Sequence, residues 1–328
     1  MKLLMLVLVA QIRFDWQAPI QLKIDNVDIP RVTVTEDSFL IRNEAEAVVH
    51  VLDKNGNLRH NLGSEGQITV PYRVSHMPGS GNIYVYDGAK RVFSIWQEDG
   101  SLVGEKGGPY DLFFQIGELI PFASGYVAPI SLSDTKATLA HFDNELRQTH
   151  TGYPVIDGDL ADMNPDFVRT HITRVGSDSD PRILAMQRFS QRVSVFDENL
   201  TFLNTLHINN AGWKELNKKK LAKVATNPRE LDKLSETFSE VAALEGVGAD
   251  MFVVGIRNLN GPRTYTYQIY SAETGMPKGT AVDSPYLLVG THRGTLYFSD
   301  PTLGSMTLFT CTLTGADGRN LYSGTQGP

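Results

Sequence analysis

Short turns of one kind recur along this chain at a nearly constant spacing. With one residue of each turn as a marker, the steps between successive markers are 44, 44, 55, 76 and 43 residues. The markers are Gly56, Gly100, Asn144, Asn199, Gly275 and Gly318. A period of roughly 40 to 45 residues filled with short strands is typical of β-propeller blades. The spacing therefore predicts six blades in one closed ring, with insertions in the two longer steps.

The segments between the turns contain short runs in which apolar and polar residues alternate, as in half-buried strands. Blade one is predicted from residues 31–34, 38–42, 47–53 and 57–62. We expect the run 19–24 to add a strand to the last blade, because this closes the ring and removes an open sheet edge. The predicted propeller spans residues 19–322, after an N-terminal segment 1–18 and before a flexible tail 323–328.

The longest step, between blades four and five, has a different hydrophobic period. Within residues 210–244, one apolar stripe at helical spacing comprises Leu231, Leu234, Phe238 and Val241. Asn227-Pro228 supplies a helix cap followed by proline at the first helical position. A second helix over 213–225 would precede it. The full prediction is an all-β, six-bladed β-propeller with a helical insertion at 210–244 that lies over the mouth of the ring.

The net charge restricts the class of binding partner, and the N-terminal residues bear on where in the cell the protein is found. The net charge is −7 and the isoelectric point is about 5.6, which argues against a nucleic-acid partner because that partner rewards clustered positive charge. Met1-Lys2 and the apolar run 3–10 look like the start of a secretion signal with Ala10 as a cleavage point. We expect a monomer in the periplasm or outside the cell. The alternative is a cytoplasmic protein in which this segment is a strand.

The chain contains one cysteine and no run long enough to cross a bilayer. Cys311 lies in an alternating apolar run, so a buried thiol without a chemical role is favoured over a nucleophile. No apolar stretch approaches the roughly 18 residues that a membrane-spanning helix needs. The sequence therefore predicts neither an internal disulfide nor a transmembrane segment.

Two segments resemble the repeats of a known family. Residues 91–100 and 191–200 look like the "R-V-x-V-F-D-x-x-G" strand and turn of NHL-type repeats, and residues 62–67 are similar to the "G-x-x-G-Q-G" loop of NHL-like bacterial six-bladed propellers. The usual continuation of that loop is replaced by Ile68-Thr69-Val70. The resemblance covers about residues 27–320. It implies the blade but leaves the activity open, since the class includes exported binding proteins as well as metal-dependent lyases and lactonases.

An arginine precedes or begins the innermost strand in three predicted blades. These residues are Arg31, Arg73 and Arg169. Equivalent positions lie around one circle, so the guanidinium groups would converge on the mouth of the central channel, where they suit a carboxylate, sulfate or phosphate. The alternative is that each arginine pairs with an acid of a neighbouring blade, such as Glu36, Asp37 or Glu240. Tyr110, in a loop between blades, is a candidate for ligand contact.

Other residues are of types that bind metal ions. His76 and His171 follow two of these arginines and could be ligands or acid–base groups, although zinc needs three or four ligands. The acidic loop that contains Asp157, Asp159 and Asp162 offers oxygen ligands of the kind that calcium prefers. The alternatives are structural histidines and a solvated acidic loop.

The sequence lacks a Gly-x-Ser-x-Gly elbow, a phosphate-binding loop and a His-Glu-x-x-His motif. We therefore expect an exported, non-catalytic propeller that binds a protein, an acidic small molecule or a saccharide at the channel mouth. The alternative is a metal-dependent lyase or hydrolase whose site, in the central channel, consists of His76, His171 and the acids of residues 157–166 around a bound calcium or zinc ion.

Overall fold

The computed structural model describes residues 12–25, 31–64, 66–77, 80–107, 119–122, 125–130, 138–152, 170–177, 179–210, 212–215, 237–259, 264–300, 306–315 and 319–321. These residues form 25 strands and no helix. The strands pair in six antiparallel sheets, which confirms the six blades that the turn spacing predicts.

Each of the first three blades has four strands that follow one another in the chain. Blade one contains β3 (Thr33–Val34), β4 (Ser38–Asn43), β5 (Val48–Asp53) and β6 (Leu58–Leu62). Blade two contains β7 (Pro71–His76), β8 (Ile83–Asp87), β9 (Val92–Trp96) and β10 (Leu102–Gly107). Blade three contains β11 (Ile120–Phe122), β12 (Gly125–Ile130), β13 (Thr138–Phe142) and β14 (Gln148–Gly152).

Blades four and five repeat this order, and blade six combines both ends of the chain. Blade four contains β15 (Thr170–Ser177), β16 (Asp180–Gln187), β17 (Arg192–Asp197) and β18 (Phe202–His207). Blade five contains β19 (Glu240–Gly246), β20 (Met251–Arg257), β21 (Tyr265–Ser271) and β22 (Val282–Ser284). Blade six contains β23 (Leu287–His292), β24 (Thr295–Ser299), β25 (Thr307–Thr314), β1 (Arg13–Trp16) and β2 (Ile20–Gln21).

The ring closes through the N-terminal strands, as predicted, but the longer of them lies earlier than expected. Strand β1 pairs with β25 over four residues, while β2, inside the predicted run 19–24, pairs with β25 over two. Trp16 anchors β1 because its ring lies 4.8 Å from that of Phe298 and 6.2 Å from that of Tyr286. Both N-terminal strands therefore cover the outer edge of blade six.

In blades one to five the recurring turns join the third and fourth strands, and an aspartate organises several of them. Asp143 Oδ1 accepts the backbone N–H groups of Glu145 and Arg147, each at 2.9 Å. Asp53 and Asp197 accept the N–H groups two and four residues later in the same way. These are Asx-type turns, whose hydrogen bonds depend only on residues close in sequence. The regular spacing in the sequence thus reflects one turn structure repeated in successive blades.

The apolar core lies between the blades. Among the described residues, six clusters of buried side chains occur, and each joins two neighbouring blades. Phe39 of blade one contacts Tyr297 of blade six, with ring centroids 5.4 Å apart. Cys311 of β25 belongs to the cluster between blades five and six and is fully buried. This burial confirms the predicted buried thiol, and it raises the pKa of Cys311 to about 12.

The predicted helical insertion is wrong where the chain is described. Gly212–Glu215 is not helical, and residues 240–244 belong to β19, the innermost strand of blade five. A β-bulge between Val241 and Ala243 shifts the register, so Val241 and Leu244 contact the same core cluster although they are three residues apart. Of the predicted helical stripe, Phe238 precedes β19 and Val241 lies in it, while Leu231 and Leu234 lie outside the described residues. Residues 216–236 lie outside the described residues.

Candidate functional site

The innermost strands of the six blades surround a cavity of about 650 Å³. These strands are β3, β7, β11, β15, β19 and β23. Residues of each of them line the cavity. The polar side chains of the wall are Thr33, Glu36, Ser75, His76, Thr173, Arg174, Glu245, Thr291, His292 and Arg293. This cavity is the central channel of the propeller.

Hydrogen bonds connect neighbouring inner strands around the channel. The pairs are Val32 N to Val289 O at 2.9 Å, Thr33 Oγ1 to Val74 O at 2.8 Å, Ser75 Oγ to Leu119 O at 3.1 Å and Gly246 N to Thr173 Oγ1 at 2.7 Å. Gly246 lies so close to β15 that a Cβ atom would stand 2.0 Å from the carbonyl oxygen of Arg174. Small residues and hydroxyl groups thus hold the channel wall together.

The propeller has two different faces. Because the strands of each blade are antiparallel, the turns between first and second strands and between third and fourth strands lie on one face, which we call the hairpin face. The starts of the inner strands and the ends of the fourth strands lie on the opposite face, which we call the loop face.

The hairpin-face mouth of the channel is lined by acids and bases from blades one, two and six. Glu36 pairs with Arg293 at 2.6 Å, and its carboxylate lies 3.6 Å from His292 Nε2. Burial lowers the pKa of His292, and the nearby Lys54 charge lowers it further. Burial also lowers the pKa of His76, while the charge of Glu98 opposes this shift. At neutral pH both imidazole rings are therefore mainly uncharged.

Lys54 lies beside this mouth in an aromatic environment. Its Nζ atom is 4.8 Å from the centroid of the Phe39 ring and 5.9 Å from that of Tyr297. The same atom donates a hydrogen bond to the carbonyl oxygen of Thr35 at 2.7 Å. Burial lowers the pKa of Lys54 to about 8, so a smaller fraction of Lys54 side chains is protonated at the upper end of the physiological pH range.

Arg31, at the start of β3, reaches an acid on a blade that is not its neighbour. Its Nη2 atom lies 2.8 Å from Glu245 Oε1, and the Glu245 side chain is only 6% exposed. Glu245 lies on blade five, whereas the sequence suggested a partner in the neighbouring blade. The acids named in that alternative have other contacts, since Glu36 pairs with Arg293 and Glu240 with Arg188.

Arg73 and Arg42 both donate hydrogen bonds to the carbonyl oxygen of Tyr72, between blades one and two. Arg73 Nη1 donates to Tyr72 O at 2.8 Å, and Arg42 Nη1 donates to the same oxygen at 2.7 Å. The Arg73 guanidinium also lies over the Tyr72 ring, 4.4 Å from its centroid. Arg31, Arg42 and Arg73 line a second, smaller cavity of about 50 Å³ together with Thr33, Leu40 and Val74. We call it the arginine pocket.

The structure places the remaining candidate residues as follows. His171 lies on β15 and is partly buried, but it is not part of the channel wall. Arg169, Tyr110, Asp157, Asp159 and Asp162 lie outside the described residues, as do the N-terminal residues 1–11 and the predicted tail 323–328. Within the described part of the chain, no group of three or more His, Cys, Asp or Glu side chains could hold a metal ion. The same part contains no helix long and apolar enough to cross a membrane.

The sequence analysis missed several residues of these sites. Arg42 lies at the end of the second strand of blade one, and its contact with Tyr72 depends on how blade two packs against blade one. Arg174 is in the channel wall, and its guanidinium lies 5.3 Å from the centroid of the Phe122 ring of blade three. Neither belongs to the arginine repeat in the sequence, since neither precedes or begins an inner strand.

Comparisons with known proteins agree on the fold. No protein-family model matches the chain, and no curated protein matches its sequence. A solved member of the DUF4221 family from Bacteroides vulgatus superposes with a TM-score of 0.63 at 10% identity, over 95% of this chain and 99% of that one. A protein from Bacteroides fragilis, described as presumed to be exported, gives a TM-score of 0.63 at 11% identity, over 92% and 95%. The chain is thus similar to these proteins in fold and is a six-bladed β-propeller.

Proposed function

We propose that this protein is an exported, non-catalytic propeller of the NHL-like class that binds an acidic or saccharide ligand in its central channel. The observation that carries the proposal is the cavity of about 650 Å³ whose wall is built by all six blades. Small-molecule sites typically enclose about 300 to 1,000 Å³ and present a few placed polar groups. The channel has this size and this kind of wall.

The chemistry of the wall suits a molecule with several hydroxyl groups and an acidic group. The hydroxyls of Thr33, Ser75 and Thr291 can both donate and accept hydrogen bonds, as sugar hydroxyls do. Arg174 and Arg293 provide guanidinium groups that match a carboxylate or phosphate. Arg31 and Arg73 remain our candidates for contacts with an acidic group on the loop-face side, and Arg169 and Tyr110, which lie outside the described residues, also remain candidates.

The internal contacts of the channel suit binding without catalysis. The Glu36 carboxylate pairs with Arg293, and the Glu245 carboxylate pairs with Arg31. Ion pairs of this kind hold both side chains in fixed positions. These pairs support a rigid, charged wall that recognises a ligand.

Export is supported by two observations of different kinds. The Bacteroides fragilis protein of similar fold is described as presumed to be exported. The basic start and the apolar run at 2–10 resemble a secretion signal. A cut after Ala10 would leave β1 in place, so cleavage and closure of blade six are compatible.

A blocked channel tests the proposal. Thr291→Phe would place a ring in the cavity, and Thr201→Phe would place the same ring on the exposed turn before β18. A panel of acidic and neutral oligosaccharides is titrated into each protein by calorimetry. We expect saturable binding by the wild type and Thr201→Phe, with at least about tenfold weaker binding by Thr291→Phe. Binding that is equal in all three proteins, or absent from the wild type for the whole panel, would overturn the proposal.

A further inference from the structure

We propose that His76 and His292 form a subsite at the hairpin-face mouth of the channel that binds the acidic group of a ligand together with protons. We call it the histidine subsite. Binding is then tight in mildly acidic surroundings and weakens as the pH rises. This inference rests on the proposed function, because the rest of the ligand lies in the same channel. It adds His292 as a ligand-binding residue and makes the site depend on pH.

The two histidines occupy equivalent positions in two blades. His76 is the last residue of β7 in blade two, and His292 is the last residue of β23 in blade six. Both residues line the channel cavity. Because the inner strands end on the hairpin face, both histidines lie at the same mouth, on either side of blade one. A ligand that fills this mouth can therefore contact both imidazole rings.

The imidazole ring of His292 has an unused hydrogen-bonding atom. Its Nε2 atom is buried without a hydrogen-bond partner among the described residues. Glu36 Oε2 lies 3.6 Å from this atom, which is longer than a hydrogen bond. Buried polar atoms normally have a partner, because leaving one without a hydrogen bond is costly. A ligand in the mouth supplies that partner.

Charged groups on blades one and six surround His292. Glu36 holds His292 and Arg293 side by side, because its Oε1 atom accepts from Arg293 Nη1 at 2.6 Å while its Oε2 atom faces the imidazole ring. Arg293 and Gly294 form the two-residue turn after β23, with the positive φ angles of 46° and 76° that such a hairpin turn requires. Lys54 also faces His292. The turn and the ion pair fix Arg293 beside the ring, so one ligand carboxylate can contact both side chains.

The carboxylate of Glu98, in the turn between β9 and β10, faces His76. It accepts a hydrogen bond from Thr35 Oγ1 at 2.8 Å, so blade one holds it in place. Further charged groups of the described channel wall are Arg174 and Glu245, on blades four and five. A proton on His76 is thus attracted by Glu98 and, when a ligand is bound, by the acidic group of the ligand as well.

Protonation of the two rings links ligand binding to pH. Without a ligand, burial lowers the pKa of both histidines. An acidic group beside the rings favours their protonated form, so it raises the pKa of each. The complex therefore holds more protons than the free protein, and the affinity rises as the pH falls. One linked proton changes the affinity by up to about tenfold per pH unit.

Trigalacturonate, an acidic sugar trimer, and its neutral methyl ester are the probes. Each is titrated by calorimetry into the wild type and the double variant His76→Gln, His292→Gln between about pH 5.5 and 7, where the histidines change charge. Lys54, whose pKa is about 8, stays mainly protonated in this range. Two buffers of different ionisation enthalpy give the number of protons taken up.

His60→Gln is the matched control. Burial also lowers the pKa of His60, but this residue lies on β6 and lines neither cavity. His76→Arg is a second variant, which places a permanent positive charge opposite Glu98. The proton uptake of the wild type and the comparison with the methyl ester need no variant, so they decide the question even if the double variant does not fold.

We expect the wild type and His60→Gln to take up protons with trigalacturonate and to bind it at least about tenfold more tightly at about pH 5.5 than at pH 7. The double variant should lose both the pH dependence and the proton uptake. The methyl ester should bind without either. His76→Arg should bind trigalacturonate more tightly than the wild type at pH 7.

The inference fails if trigalacturonate binds the wild type equally well across this range without proton uptake, or if the double variant keeps the full pH dependence. In both cases the channel remains the ligand site, and only the histidine subsite is removed. Absence of trigalacturonate binding at the acidic end also removes the subsite. The proposed function then stands if other members of the oligosaccharide panel bind, and it fails as well if none does.

Discussion

Gly246→Ala tests whether the channel wall depends on the close approach of β15 and β19. A Cβ atom at this position would lie 2.0 Å from the carbonyl oxygen of Arg174, and real Cβ atoms essentially never approach within 3.0 Å of another heavy atom. The two strands must therefore separate. Separation also weakens the hydrogen bond from Gly246 N to Thr173 Oγ1, which is 2.7 Å long.

The expected loss of stability follows from these two effects. Overpacking in a tight interior costs about 1 to 3 kcal/mol, and a weakened hydrogen bond costs about 1 kcal/mol more. We expect Gly246→Ala to lower the free energy of unfolding by about 2 to 4 kcal/mol. The matched control is Gly104→Ala on β10, where a Cβ atom meets nothing within 4 Å and φ is not positive. Alanine reduces the entropy of the unfolded chain there, so stability should stay equal or rise by up to about 1 kcal/mol.

Urea unfolding followed by circular dichroism measures both variants. Equal m values allow the shift of the midpoint to be read as a change in stability. If Gly246→Ala unfolds within about 0.5 kcal/mol of the wild type, the inner strands can move apart without cost. The description of the channel as a rigid wall would then be wrong.

Three further predictions concern single groups. Arg31→Gln leaves the buried Glu245 carboxylate without its ion-pair partner, so urea unfolding should show a loss of about 1 to 3 kcal/mol that a second change, Glu245→Gln, partly restores; an unchanged single variant would contradict this. Burial raises the pKa of Cys311 to about 12 from 9.0, so Ellman's reagent should react only after unfolding. Because the unfolded chain releases this proton first, the thiol lowers stability as pH rises above about 9; rapid reaction of the native protein would disprove the burial. Elemental analysis should find no stoichiometric metal, whereas one bound calcium or zinc ion per chain would favour the metal-dependent alternative with His76 and His171.

The misassigned insertion shows where sequence reasoning reaches its limit within a strand. The spacing places Val241 on a helical stripe with Leu231, Leu234 and Phe238, but Val241 lies in β19, and the sequence alone offers no sign of the bulge that follows it. A bulge depends on the strand that pairs with it. Strand β20 supplies that constraint only after blade five has formed, so the local pattern favoured the wrong element.

The arginines show that a sequence pattern also could not predict all residues of the candidate site. The repeat position predicted Arg31 and Arg73 at the mouth of the central channel, whereas both line the small cavity between blades one and two and neither is among the described residues of the channel wall. It could not identify Arg42, whose contact with Tyr72 crosses from one blade to the next. Nor could it identify Glu245 as the partner of Arg31, since that contact depends on the width of the channel.

The blade period could be read from the amino-acid sequence because its cause is local. An aspartate and the backbone N–H groups up to four residues away form each of several turns, and no distant residue is needed. The channel, its ion pairs and the arginine pocket were decided by the closure of the ring. They consist of contacts between residues far apart in the chain, and their geometry depends on how six blades pack around one axis.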